Sequence, residues 1–147
     1  MRSILVTDDS LAPLMIRIAL GIAIFPHGAQ KLFGWFGGSG FGGTLDTFQQ
    51  YFGVPAFLTV LVIFAELFGS IGLVVGFLTR VAAAGIGAVM IGAVALAHWQ
   101  NGFFMNWSGD TSGEGFEYHI LAIGMAIALI LAGGGAASVD RKIAPKL

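Results

Sequence analysis

Apolar residues in this chain fall into four long runs, over residues 11–33, 55–78, 81–99 and 116–134. At a helical rise of about 1.5 Å per residue, runs of about 20 residues cross a hydrocarbon layer of about 30 Å. The pattern therefore predicts an all-α integral membrane four-helix bundle. Residues 34–53 and 100–115 are glycine-rich and polar, and they read as two long loops on one side. Thr79 and Arg80 make a tight connection on the other. Asp8, Asp9, Ser10 and Pro13 are helix-starting residues, placed where the first span begins. Within the first loop, Thr44–Tyr51 can form a short interfacial helix, with Leu45, Phe48 and Phe52 toward lipid and Asp46, Gln49 and Gln50 toward water.

Composition agrees with this pattern. The chain of 147 residues suits one domain, here 1–147, and it is 56% hydrophobic and 10% charged. Soluble domains carry about 25% charged residues. A net charge of −1 offers no basic excess for nucleic acid or anionic lipid, so the expected surroundings are the bilayer itself. The absence of cysteine excludes disulfides and thiolate chemistry by this chain alone. Asp8 and Asp9 interrupt the N-terminal lead, so it is not read as a signal peptide and the first span is expected to be retained. Arg2, Arg80, Arg141, Lys142 and Lys146 fall on one side of a four-span chain. The positive-inside rule then places both termini, with the tail 138–147, in the cytoplasm.

Ionisable residues inside the spans change the picture most, because each charge in hydrocarbon costs roughly 2.5–3.5 kcal/mol on insertion scales. Seven stand in or beside the spans: Arg17, His27, Lys31, Glu66, His98, Glu117 and His119. Helix rise places His27, Lys31, His98, Glu117 and His119 toward the loop side and Glu66 near mid-membrane. All four spans contribute. His27 and Lys31 share a helix face. Arg17, Gly21, Ile24, Gly28 and Lys31 form a stripe of charge and small residues that should face protein. Pro26 removes a backbone donor, so a kink before His27 can widen the helix there. Together these residues are the candidate binding pocket in the outer half of the bundle, with Phe25, Phe33, Phe64, Phe68 and Trp99 as apolar walls.

Structural readings stand beside this one. Arg17 can pair with Glu66 to join the first two spans. Lys31 can snorkel to headgroups, and Glu117 can be a solvated carboxylate. Gly72 and Gly76 form a GxxxG pattern, a weak sign of a homo-oligomer. Three histidines raise haem, zinc or iron, but no compact motif supports them and no metal ligand is assigned. No nucleophile–base pair is present: Ser39, Ser70, Ser108 and Ser112 lack a nucleophile-elbow context. The catalytic residues, if any, stay unassigned.

Arg17-x3-Gly21-x3-Phe25-x-His27-Gly28-x2-Lys31-Leu32-Phe33 resembles the first-span signature of the DoxX family. Ala65-Glu66-Leu67-x-Gly69, followed by Gly76-x2-Thr79-Arg80, resembles its second, and His98 ending the third span also fits. The resemblance implies a four-helix protein of the bacterial inner membrane. Some relatives are subunits of a thiosulfate:quinone oxidoreductase, and others act in oxidative-stress defence with soluble redox enzymes. Carried over, it nominates Arg17, His27, Lys31, Glu66 and His98.

Three functions follow as expectations. The first is a redox-associated oxidoreductase subunit whose polar pocket takes a quinone, with Glu66 or Glu117 exchanging protons. The second is a non-catalytic anchor for a soluble redox-protein partner. The third is a small-solute transporter, which with four spans would need an oligomer.

Overall fold

The computed structural model describes residues 2–144. Its elements are helices α1 (Arg2–Leu5), α2 (Leu11–Phe33), α3 (Gly40–Phe52), α4 (Ala56–Val75), α5 (Thr79–Ala93), α6 (Glu117–Ala132) and α7 (Val139–Ile143). No strand occurs among the described residues. The side chain of Arg2 and all of Lys146, both used above to orient the chain, lie outside the described residues. Three helical stretches, Leu11–Phe33, Ala56–Val75 and Thr79–Asn101, are long and apolar enough to cross a membrane, and Glu117–Ala132 is a shorter apolar helix.

The expected first span coincides with α2. Ser10, in extended conformation, precedes it, and Gly34 at φ 74° ends it. A left-handed residue closes the last turn there at no steric cost because glycine has no Cβ. The second span ends earlier than residue 78. Gly76 at φ 71° stops α4, and Phe77 N donates to Gly72 O at 2.8 Å while Gly76 N donates to Leu73 O at 3.2 Å. This pair of bonds is a Schellman closure. So Gly76 is spent on a turn, not on an exposed dimerising face. The third span changes character at its end: α5 passes into a π turn over Val94–His98 and a 3₁₀ turn over Trp99–Asn101. The interfacial helix is longer than expected, running as α3 over Gly40–Phe52.

Helix α2 packs chiefly on α4, α4 on α5 and α5 on α6, with a narrower contact between α2 and α6. The core they share includes Leu20 and Ile24 from α2, Leu73 from α4, Ile86 and Met90 from α5, and Leu129 from α6. The stripe expected to face protein does so, with Arg17, Gly21, Ile24 and Gly28 buried. A Cβ on Gly28 would sit 2.6 Å from Leu67 N, so only glycine lets α2 and α4 approach this closely. Around the outside lie Phe57, Leu61, Phe64 and Phe68, all exposed on α4. An apolar exterior of this kind is what lipid contact requires.

One end of the bundle, here the turn end, holds the α4–α5 turn and residues 133–144. The other, the loop end, holds α3 and residues 100–116.

Candidate functional site

Charged side chains are deployed differently at the two ends. At the turn end Arg17 is 1% exposed, yet among the described residues its guanidinium has no acidic partner in hydrogen-bond range. Instead Nε donates to Gly134 O at 2.9 Å, one terminal nitrogen to Leu73 O and Val74 O, and the other to Ala136 O and Ala137 O, both at 3.1 Å. Leu73 and Val74 carry carbonyls of the last turn of α4, which have no helical partner and sit at the negative end of the helix dipole. The expected Arg17–Glu66 pair is therefore absent. Arg17 reaches the C-terminus of α4, two turns from Glu66, and all its donors are used there.

Asp140, in α7, answers it from the other side of the same turn. Its carboxylate accepts from Leu78 N at 2.7 Å and Thr79 N at 2.8 Å, and its own N–H donates to Gly76 O at 2.9 Å. It thereby caps the first turn of α5. Arg80 does for α6 what Arg17 does for α4, donating to Ile130 O and Leu131 O at the helix end and to Val6 O. Arg80 thus has a bonded structural place beyond its count in the charge asymmetry.

The loop end gathers the other polar residues. Lys31 Nζ lies 2.6 Å from Glu66 Oε2, with the Glu66 side chain 4% and the Lys31 side chain 22% exposed. Lys31 does not snorkel outward; it turns to α4. His27 is exposed and stands one helical turn before Lys31 on α2. From the first turn of α6, Tyr118 and His119 stand at this end too, with ring centroids 5.7 Å apart. The His98 and His119 rings are 4.2 Å apart between centroids.

The π turn is what presents His98 to α6. His98 Nδ1 faces Glu114 O at 2.9 Å. A carbonyl only accepts, so Nδ1 carries the hydrogen and Nε2 is left as the basic nitrogen in the neutral ring. Two polar atoms in the cluster are buried with no partner: Tyr118 Oη and His119 Nδ1. An unbonded polar atom inside a low-dielectric core is costly, about 1–3 kcal/mol each. Such atoms mark a place built to hold something else, or one that tolerates strain.

A family model described as DoxX matches residues 12–99. The chain belongs to the DoxX family. Neither the curated proteins nor the solved structures compared contain a match to it. This DoxX-family chain has Arg17, His27, Lys31, Glu66 and His98 inside the matched region and Glu117, Tyr118, His119 and Asp140 beyond it.

Of the seven candidate residues, the structure pairs four, Lys31 with Glu66 and His98 with His119, and sets His27 at the same end, one turn before Lys31. Arg17 lies at the opposite end. Glu117 turns to the adjacent loop, where its Oε2 accepts from Met105 N at 3.2 Å. The expected apolar walls are also displaced, since Phe33, Phe64, Phe68 and Trp99 are exposed on the outer surface. A side chain on a lipid-facing helix surface has no interior cavity to line. Among the described residues, no three His, Asp or Glu side chains converge as metal ligands would. Tyr118 was not among the candidates. A tyrosine at the start of a span reads as an interfacial residue, and only its unpartnered hydroxyl distinguishes it.

Proposed function

We propose that this multi-pass DoxX-family protein is a redox-associated subunit of the bacterial inner membrane, and that its loop-end polar cluster binds the carbonyl head of a quinone. One observation carries the reading: Tyr118 Oη and His119 Nδ1 are buried and, among the described residues, unpartnered at the loop end, where Lys31 pairs with Glu66. A quinone ring presents two carbonyl oxygens, which need donors and offer none. Tyr118 O–H is such a donor, and His119 is one in its Nδ1–H tautomer. Glu66 supplies a carboxylate at membrane depth, able to take or give a proton as the head changes oxidation state. His27, exposed on α2, stands at the edge of the cluster. Arg17 is outside this site, and its role is to close the turn end.

Orientation belongs to the same reading. Arg80, Arg141 and Lys142 stand at the turn end, which the positive-inside rule assigns to the cytoplasm, so the polar cluster lies toward the opposite side.

Thermal unfolding of the purified protein in detergent tests this. Menaquinone or ubiquinone should raise the midpoint in wild type and raise it less in His119→Ala. No shift with either quinone in wild type would remove the reading.

A further inference from the structure

Beside the polar cluster, but separate from it, residues 103–108 fold over the start of α6 and leave an open recess of about 540 Å³. Its walls are Phe103, Phe104 and Trp107 above and Ile120 and Leu121 below, with Glu117 as the charged residue among its lining. Trp107 and Phe104 are 85% and 77% exposed, an unusual display of aromatic surface unless something covers it.

The recess has a definite depth. Helix α6 begins at Glu117 and has 16 residues, so it rises about 24 Å from this end. Glu117 therefore lies where the apolar layer meets the headgroups. Ile120 and Leu121, exposed one turn below, face the acyl layer.

Charge selects the occupant. Residues 99–116 contain Asp110 and Glu114 and no lysine or arginine. An anionic headgroup would find no cation here. A cationic one meets the Glu117 carboxylate among three aromatic side chains, the combination that attracts ammonium groups. The carboxylate also separates kinds of ammonium. Its Oε2 accepts from Met105 N, while Oε1 takes no hydrogen bond among the described residues. A primary ammonium has three N–H donors to offer Oε1, and a quaternary one has none.

We propose that this recess is a binding site for a phospholipid with a primary-ammonium headgroup, as in phosphatidylethanolamine. The ammonium sits on Glu117, the rings of Phe103, Phe104 and Trp107 border it, and the acyl chains run down α6 past Ile120 and Leu121. The site is independent of the quinone reading, since it shares no partner with the Lys31–Glu66 pair.

Native mass spectrometry of the full chain tests it, with an equimolar mixture of phosphatidylethanolamine, phosphatidylcholine and phosphatidylglycerol of identical chains. Wild type should retain the ethanolamine lipid about threefold to fivefold over each competitor: over phosphatidylglycerol on the scale of an exposed cation–π and ionic contact, and over phosphatidylcholine, which shares those contacts, on the scale of one hydrogen bond to Oε1. Glu117→Gln keeps an oxygen for Met105 N but removes the charge and the free acceptor, so it should abolish the preference over phosphatidylcholine and leave over phosphatidylglycerol only what the rings supply. Asp110→Asn, outside the recess, should leave the preference intact. Equal retention by wild type, or a preference over phosphatidylcholine that survives Glu117→Gln, overturns the proposal. The wild-type ranking decides it even where a variant folds poorly.

Discussion

Arg17 and Asp140 grip one interhelical turn from opposite sides and form no salt bridge with each other. The arginine satisfies the carbonyl end of α4 and the aspartate the amide end of α5. Each charge is thus bonded to backbone groups that would otherwise be buried and unpaired, and each stands at the helix pole of opposite sign. They also hold two left-handed residues that are not glycine: Leu78 at φ 49°, bonded through its N–H to Asp140, and Ala137 at φ 52°, bonded through its carbonyl to Arg17. Such conformations cost of order 1–3 kcal/mol and persist where surrounding contacts enforce them.

Removing either side of this clamp should therefore be severe. Arg17→Ala strands five carbonyl contacts and leaves Asp140 without its neighbouring positive charge. We expect a loss of about 3–5 kcal/mol, the range for breaking a buried charged arrangement. Arg17→Lys should recover only part of it, because an ammonium has three donors where the guanidinium uses five. Asp140→Ala should cost about 1–3 kcal/mol through Leu78 N and Thr79 N. Unfolding of the purified variants in mixed micelles measures all three. Arg17→Ala as stable as wild type would show that the clamp contributes little.

The Lys31–Glu66 pair leads to a different pattern. Either single change, Lys31→Met or Glu66→Gln, leaves a charge or a carboxamide facing the wrong partner inside the bundle. The double variant replaces both and leaves no uncompensated charge. Each single variant should lose stability, by up to about 3–5 kcal/mol, while the double variant should regain most of the loss. A double-mutant cycle with additive costs would mean the two side chains act independently.

Much of this architecture is legible in the residues themselves, and the exceptions have physical causes. The limits of α2 follow from Ser10, Pro13 and Gly34, which are local signals. The buried stripe from Arg17 to Gly28 follows from helical spacing. Lys31 is different: its height in the membrane permits headgroup contact equally well, and its turn toward Glu66 depends on how α2 packs on α4. Asp140 stands in a short charged tail, next to Arg141 and Lys142, where a solvated residue is the ordinary expectation. Its burial arises because Gly133, Gly134 and Gly135 let the chain fold back under the bundle. A Cβ on Gly134 would come within 2.8 Å of both Ser138 Cβ and Thr79 Oγ1. The π turn that aims His98 at His119 likewise has no signature in VALAH alone.

Two glycine substitutions separate helix contact from helix propensity. In Gly28→Ala the new methyl would lie 2.6 Å from Leu67 N and 2.7 Å from Leu67 Cα, both backbone atoms that move only with the helix. Forced separation of α2 and α4 should cost about 1–3 kcal/mol. In Gly92→Ala nothing lies within 4 Å of the added Cβ. That change should be neutral or stabilising by up to about 1 kcal/mol, since alanine is the better helix former. Comparison of the two melting midpoints checks the sign of the difference. A stable Gly28→Ala would show that α2 and α4 are packed more loosely than described here.

Tyr118→Phe offers the sharpest test of why an unpartnered hydroxyl is kept inside the bundle. Among the described residues Oη finds no hydrogen-bond partner, and it is buried. Its deletion removes an unpaid desolvation cost and keeps the ring, so stability should be unchanged or rise by about 1 kcal/mol. If the hydroxyl serves a quinone carbonyl, the same change should weaken quinone binding by about fivefold to tenfold, the worth of one hydrogen bond in a dry site. A purely structural tyrosine would show the reverse pattern, with lower stability and no change in binding. Thermal melts with and without menaquinone on the same preparation read both quantities at once. Greater intrinsic stability combined with a smaller quinone-induced shift is the outcome that a binding role requires.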